Sequence, residues 1–486
     1  MLMNERHLNN FLTPPSTELS PLLMADNQLS ICNGVNLSYK LGKIIKDLGY
    51  SKVGTTLEAG KSLTGLYHFR QSSSVNKVLA TINNAAGTNL TLKYNNAGTW
   101  TDINVGATWD GFEDSRVDFE TFIGYCFMVG YDSTDSVFLP VASLTGTTFS
   151  TATNVTNMAQ GKYITRYRDR LYVANCYSGS TLYPYRVYYS SVPVAGAITW
   201  TPASDFFDVD YSESITGMGS NWDRLIVFTE FSAYVYDQSS RKNMFDIGCI
   251  NNRTISTFSS YLIWANKDNI WTSTGGQPTP IGNDIKELLM NSTATNWTSE
   301  VVDGEYIIYL GATEANGLSY ANCMATYTFA TGMWRWRELY DGVGVLARYT
   351  DGVDDFLYLG VSDGMVHVKS KYTDTTPIYA DDGKPIIAHV RTKAFDFGDP
   401  AVQKTVNKIM VYAQYAQGVT IRFRVYDRNQ EIIMPFTDIG QLTGVINSFD
   451  KRLTGHLIEF EFKEYSPNQA FEILGLSLQL GQDSTL

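Results

Sequence analysis

Charge is scarce in this sequence. Asp, Glu, Lys and Arg together make 18% of the 486 residues, where soluble chains carry about 25%. The 37 basic residues are outnumbered by 49 acidic ones, for a formal net charge of −12, which excludes a broad basic face for holding nucleic acid or anionic lipid by bulk charge. Long apolar runs are also missing. The longest nearly apolar stretch, Phe122 to Tyr131, is broken by Gly124 and Gly130 and falls far short of the roughly 20 residues of a membrane helix, so no membrane insertion is expected. The opening residues carry Glu5 and Arg6 and no apolar signal core, so folding in a cytosol is expected.

Reactive residue types are equally thin. The five cysteines, Cys32, Cys126, Cys176, Cys249 and Cys323, are odd in number and at least 50 residues apart. They have neither CxxC nor zinc-finger spacing and read as buried free thiols. None of the five histidines, His7, His68, His367, His389 and His456, has a metal-like or catalytic neighbour at hairpin or helical spacing. Nucleophile-elbow, phosphate-loop, zincin and dinucleotide fingerprints do not occur. Six Asn-x-Ser/Thr triplets are what chance gives in so polar a chain. No catalytic, cofactor-binding or metal residue is therefore assigned, no cofactor is expected, and the chain is not read as an enzyme.

The residue clusters that invite a chemical reading have plainer ones. Asp205, Asp208, Asp210 and Glu213 form the densest acidic group, followed by Asp351, Asp354 and Asp355. The first lacks the glycine and terminal glutamate of a calcium loop and reads as solvated loop acids. A weak cation site is one alternative, and a glycosidase pair using Asp205 or Asp208 is another. Arg166, Arg168 and Arg170, and Arg335 with Arg337 around Trp336, could stack nucleobases but at alternate strand positions read as solvated faces. Asn95 to Trp100 reads as a hairpin turn feeding a buried tryptophan.

What the chain has in abundance is 31 Tyr, 39 Gly and many Ser, Thr and Asn, a composition of pleated surfaces and tight corners. A unit recurs in which a polar turn leads into an apolar strand, then a second turn and an aromatic strand. Its clearest marks are Leu171, Leu225, Leu262, Tyr306 and Leu357, separated by 54, 37, 44 and 51 residues. Propeller blades repeat every 40 to 50 residues or so. Two weaker copies, Gly65 to Trp100 and Phe119 to Leu139, precede them. The expected architecture is all-β, an irregular β-propeller of about 6–7 blades over residues 56–380. An N-terminal docking arm with the first strands occupies 1–55, its opening 20 residues depending on a partner for order. After the turn-rich Thr373 to Pro385, alternation such as Ile421, Phe423 and Val425 against Arg422 and Arg424 implies a C-terminal antiparallel β-sandwich over 385–486.

The stretch from Pro21 to Tyr50, the blades holding Gly98-Thr-Trp100 and Tyr327 to Trp334, and the closing segments Arg391 to Gly398 and Phe471 to Leu476 resemble the tail hub, nozzle and packaged-DNA stabilisation proteins of tailed phages. The resemblance covers most of the chain. It implies a non-enzymatic virion protein at the tail or head-tail junction, assembled in the host cytoplasm. Such a protein forms a ring, a hexamer, with copies of itself, and contacts portal or adaptor and tail fibre or tail tip proteins. Genomic DNA would pass through the ring without specific binding, and an acidic lumen would repel it rather than hold it. The competing expectations are a carbohydrate-binding or receptor-binding propeller and, behind it, a glycoside hydrolase.

Overall fold

The computed structural model describes the chain except residues 1–3, 10, 12–14, 18–22, 73–74, 106–108, 114, 133–136, 140, 146–148, 150, 156, 238–240 and 482–486. With 58% strand and 3% helix the fold is all-β, its many sheets built mostly of antiparallel strands. No helix among the described residues is long and apolar enough to cross a membrane.

Seven sheets follow one another along the chain. Their first strands are Leu63–Arg70, Arg116–Phe122, Gln160–Tyr167, Ile215–Asn221, Ser256–Phe258, Thr298–Val302 and Val343–Thr350, and each is succeeded by an antiparallel partner. The recurring marks of the sequence fall on one structural position: Leu171, Leu225, Leu262, Tyr306 and Leu357 all lie in second strands. Those strands are flanked by a sheet on either face, so their residues are buried in runs, as in Leu225 to Thr229, rather than alternately.

The first strands pack side by side in chain order, the fourth reaching the fifth sheet through Asn252–Thr254 and Tyr261–Ala265, and the seventh returns to the first. The seventh sheet is completed by Tyr50–Lys52 from the beginning of the chain, which pairs antiparallel with Val366–Lys369.

The two chain ends are interleaved. One six-stranded sheet combines Asn4–Asn9, Val35–Asn36 and Ile44–Lys46 with Glu472–Gly481, Lys404–Gln414 and Ile446–Gly455. Facing strands Leu29–Asn33, Ala388–Phe395, Leu457–Glu464, Thr420–Tyr426 and Ile432–Gln441 extend the sixth sheet through a parallel contact between Asn33 and Trp336. Where the sequence suggests an arm ordered only by a partner, Asn4–Asn9 is instead laddered onto the chain's own Glu472–Gly481. The rest of that arm lies partly outside the described residues. One apolar cluster runs without a break from Trp297, just ahead of the sixth sheet, and Trp334 and Trp336 within it to Ile409, Phe460 and Leu478 of the terminal sheets.

Arg335 and Arg337 depart from the solvated face expected of them, being 4% and 2% exposed. Their strand, Met333–Glu338, is interior to its sheet: Trp334 and Trp336 enter the apolar cluster, while the arginines meet the chain between residues 47 and 50 and the acids around it. Arg335 pairs with Glu305 at 2.7 Å. Arg337 donates to the Leu48 carbonyl and pairs with Asp381. Burial pushes the Asp47 carboxyl up, yet Lys369, Arg335 and Arg337 outweigh it and hold the group below its ordinary value.

Candidate functional site

All seven first strands contribute residues to one cavity of about 470 Å³. The inner edge of a first strand has no strand beside it, so its buried N–H groups need other acceptors. Side chains of a neighbouring sheet supply several of them. Asp118 Oδ2 accepts from Ile164 N at 3.0 Å and Glu120 Oε2 from Arg166 N at 3.0 Å, joining the second sheet to the third. Glu300 Oε2 accepts from Arg348 N at 3.2 Å and Thr298 Oγ1 from Leu346 N at 3.2 Å, joining the sixth to the seventh. Asn252 Oδ1 accepts from Met218 N at 3.0 Å, across the fourth and fifth.

These pairs sit two residues apart because a strand puts alternate side chains on one face. The signal is visible, after the fact, as polar acceptors inside short apolar strands: Val117-Asp-Phe-Glu120 and Thr298-Ser-Glu300. Sequence reasoning missed it because it looked for acids clustered in loops.

The acids titrate unusually. Desolvation in the cavity pushes Asp118 up to about 6, the N–H donors of Ile164 and Phe119 opposing it. It pushes Glu120 up to about 7, against the Arg166 N–H and with the help of Asp118, and Glu300 is raised by the same cause. Values near neutrality suit proton transfer, but the second oxygen of each is engaged as well. Phe119 N, Thr121 N and Val301 N donate to them at 3.1, 3.0 and 2.9 Å respectively. With both oxygens of each group spent on main-chain donors, the carboxylates act as fasteners between neighbouring sheets.

Arg253 lines the same cavity. From the turn ahead of the fifth sheet its guanidinium donates to the Gly344 carbonyl of the seventh sheet at 3.0 Å and to the Thr64 carbonyl of the first. One side chain thus ties three sheets.

The residues singled out from sequence lie elsewhere. Asp208 is paired with Arg186 through two bonds of 2.6 and 2.9 Å, Asp205 accepts from Ser204, and Asp210 caps Ser212. Asp351 closes its own turn through Val353 N and Asp354 N, Asp355 pairs with Arg348, and Asp354 lies 3.7 Å from Lys371. Arg168 pairs with Asp223 and Arg170 donates to the Ser190 carbonyl. All five cysteines are free and buried. His389 bonds Glu461 at 2.6 Å, and His367 is wholly enclosed. The Asn95 turn is as expected: its side chain accepts from Gly98 N, and Trp100 is buried with its indole N–H on the Val53 carbonyl.

No protein-family model matches this chain, and no curated protein matches its sequence.

Proposed function

We propose that the seven sheets close as a seven-bladed β-propeller, with the strands of the two chain ends forming an antiparallel β-sandwich against it. On this reading the protein is a non-enzymatic structural subunit of a tailed-phage virion. It forms a ring with copies of itself around the DNA exit channel, as a tail hub, nozzle or head-to-tail connector component, and meets portal or adaptor and tail fibre or tail tip proteins. The return of the seventh first strand to the first, and the closing strand Tyr50–Lys52, support the propeller. A ring of sheets leaves only short edges and covers every face. The commitment of Asp118, Glu120 and Glu300 to main-chain donors favours architecture over catalysis.

The observation that carries self-assembly is an uncovered apolar edge. Ile432–Gln441 and Ile446–Gly455 are the terminal strands of their two sheets and adjoin in sequence. Ile433 is 56% exposed and Ile446 64%, with Ile432, Met434 and Val445 exposed beside them. Exposed apolar edges invite association unless blunted or covered. Pro435 lacks an N–H to offer, so a second copy would cover this edge by packing its side chains. Because the net charge is −12, a lumen built from these subunits would let DNA slide.

Sedimentation velocity and particle imaging of the purified chain test the reading. The wild type should form closed rings, and Ile433→Lys should yield monomers that melt as the parent does. A wild type that stays monomeric at high concentration, or rings unaffected by the substitution, would overturn it.

A further inference from the structure

A second cavity, also about 470 Å³, adjoins the first and shares Val117, Asp118, Asn252 and Arg253 with it. Its walls bring together three cations from three sheets. Arg116 begins the first strand of the second sheet, Lys162 lies on the first strand of the third, and Arg253 is on the turn ahead of the fifth. Tyr131 and Tyr163 line the same space.

None of the three cations has a carboxylate within ion-pair reach among the described residues. Arg116 donates to the Thr295 carbonyl at 2.9 Å. Lys162 Nζ stands 3.7 Å over the Tyr131 ring. Arg253 spends two of its donors on the Thr64 and Gly344 carbonyls, and a guanidinium has five. The acid that lines this cavity, Asp118, already accepts from Phe119 N, Ile164 N and the Asn252 amide.

Elsewhere this chain neutralises its enclosed cations with its own acids: Lys46 with Glu464, Arg186 with Asp208, Arg335 with Glu305, Arg337 with Asp381. Lys162 and Arg253 are half-buried and Arg116 is exposed, so the charge gathered here is only partly desolvated, a state that costs free energy in the absence of a counter-charge. The cost is visible in the groups themselves. Loss of hydration holds Arg116 and Lys162 below their ordinary values, and it brings Arg253 down to about 10 with the repulsion of Arg116 added and the attraction of Asp118 opposing. A fork of arginine donors and a lysine around one concave space, with phenols beside them, is the donor set that oxyanions of phosphorus select.

We infer that the cavity bounded by Arg116, Lys162 and Arg253 is a binding site for a phosphate-class oxyanion, with Arg116 and Lys162 as the groups that hold it. Arg253 positions the site by bracing it against the first and seventh sheets. The shared chemistry is a tetrahedral dianion, carried either by free phosphate or by a small phosphomonoester.

The test is equilibrium binding of inorganic phosphate and, separately, of ribose 5-phosphate to the full chain, with ionic strength held constant by chloride. Saturable binding of phosphate is expected. Lys162→Gln and Arg116→Gln should each weaken it by about tenfold, the scale of one charge-assisted contact, while Arg170→Gln, outside the cavity, should leave it unchanged. Circular dichroism and melting of each variant separate a lost contact from a lost fold. Tighter binding of ribose 5-phosphate than of phosphate would assign the site to a phosphomonoester, and the reverse order to the free ion. Two results overturn the inference: no saturable binding of either probe, or affinities in Lys162→Gln and Arg116→Gln equal to the parent's.

Discussion

Tyr50 and His367 stack with ring centroids 4.7 Å apart and planes 21° from parallel, binding the closing strand at the start of the chain to the seventh sheet. The two residues are 2% and 0% exposed. Among the described residues neither imidazole nitrogen has a hydrogen-bond partner, so the contact rests on ring area and dispersion, and a proton on the imidazole would be buried without an acceptor.

A pH dependence follows. Burial depresses His367 most; Asp363, Asp382 and Asp341 push the other way, and Lys52 adds to the depression. Arg337 lies 5.9 Å from the Tyr50 ring centroid. With the folded value below the unfolded one, about 6.5, the unfolded chain binds more protons as pH falls below that value. The stability this histidine contributes is complete at neutral pH and is lost as pH drops through about 6.5 towards the depressed value. Urea unfolding of the parent and of His367→Phe, which keeps the stack and cannot titrate, should diverge as pH falls from about 7.5 to 5, the parent losing stability relative to the variant while the other titrating groups cancel in the difference.

The acids of the cavity contribute with the opposite sign. Asp118 and Glu120 have folded values near 6 and 7, above those of unfolded carboxyls at about 4. Between those limits the folded state holds the extra protons, so their contribution is full below about pH 4 and is lost as pH rises through 6 to 7. Carboxyl carbon NMR should find two groups titrating near neutrality, and Glu120→Gln should remove one of them. Midpoints at ordinary carboxylate values would show that the N–H donors of Ile164 and Arg166 outweigh desolvation.

How far the fold was legible depended on which strand carried the signal. Second strands such as Leu225 to Phe228 are covered on both faces, so they read as apolar runs at a blade-like spacing and gave the sheet positions away. The first strands of the sheets hide theirs: Asp118, Glu120 and Glu300 look like surface acids until a neighbouring sheet supplies the N–H they receive. Arg335 and Arg337 were misread for a related reason. Alternation tells which residues share a face of a strand, but what covers that face, here residues 47–50 from the far end of the chain, is a tertiary fact. The same holds for Asn4–Asn9, whose partner strand begins at Glu472.

Close approach of two backbones makes Gly49 sensitive. A Cβ there would lie 1.9 Å from the Ala380 carbonyl oxygen, while Gly49 N bonds Ile378 O at 2.8 Å and Gly49 O receives Ser370 N at 2.9 Å. No side-chain rotation relieves a clash with main chain, so Gly49→Ala should cost about 3 kcal/mol or more, the upper range for overpacking. It should appear as a lower urea midpoint at unchanged slope. A loss under about 0.5 kcal/mol would mean that the closing strand has room to shift.

The ion pair of Lys46 with Glu464 allows the latch between the chain ends to be weighed directly. Both side chains are fully enclosed, and Lys46 also donates to the Ser466 carbonyl at 2.9 Å. Lys46→Met strands a buried carboxylate and Glu464→Leu a buried ammonium; each should cost about 3–5 kcal/mol, most of it the penalty on the abandoned partner. In the double variant neither charge remains, and Ser466, half-buried, can turn to water. Its loss should therefore be well under the sum of the singles, with a coupling of about 2 kcal/mol or more. If the singles instead add, each charge must already be relieved by some other group, and the pair would be a passenger in the interleaved ends rather than part of what holds them.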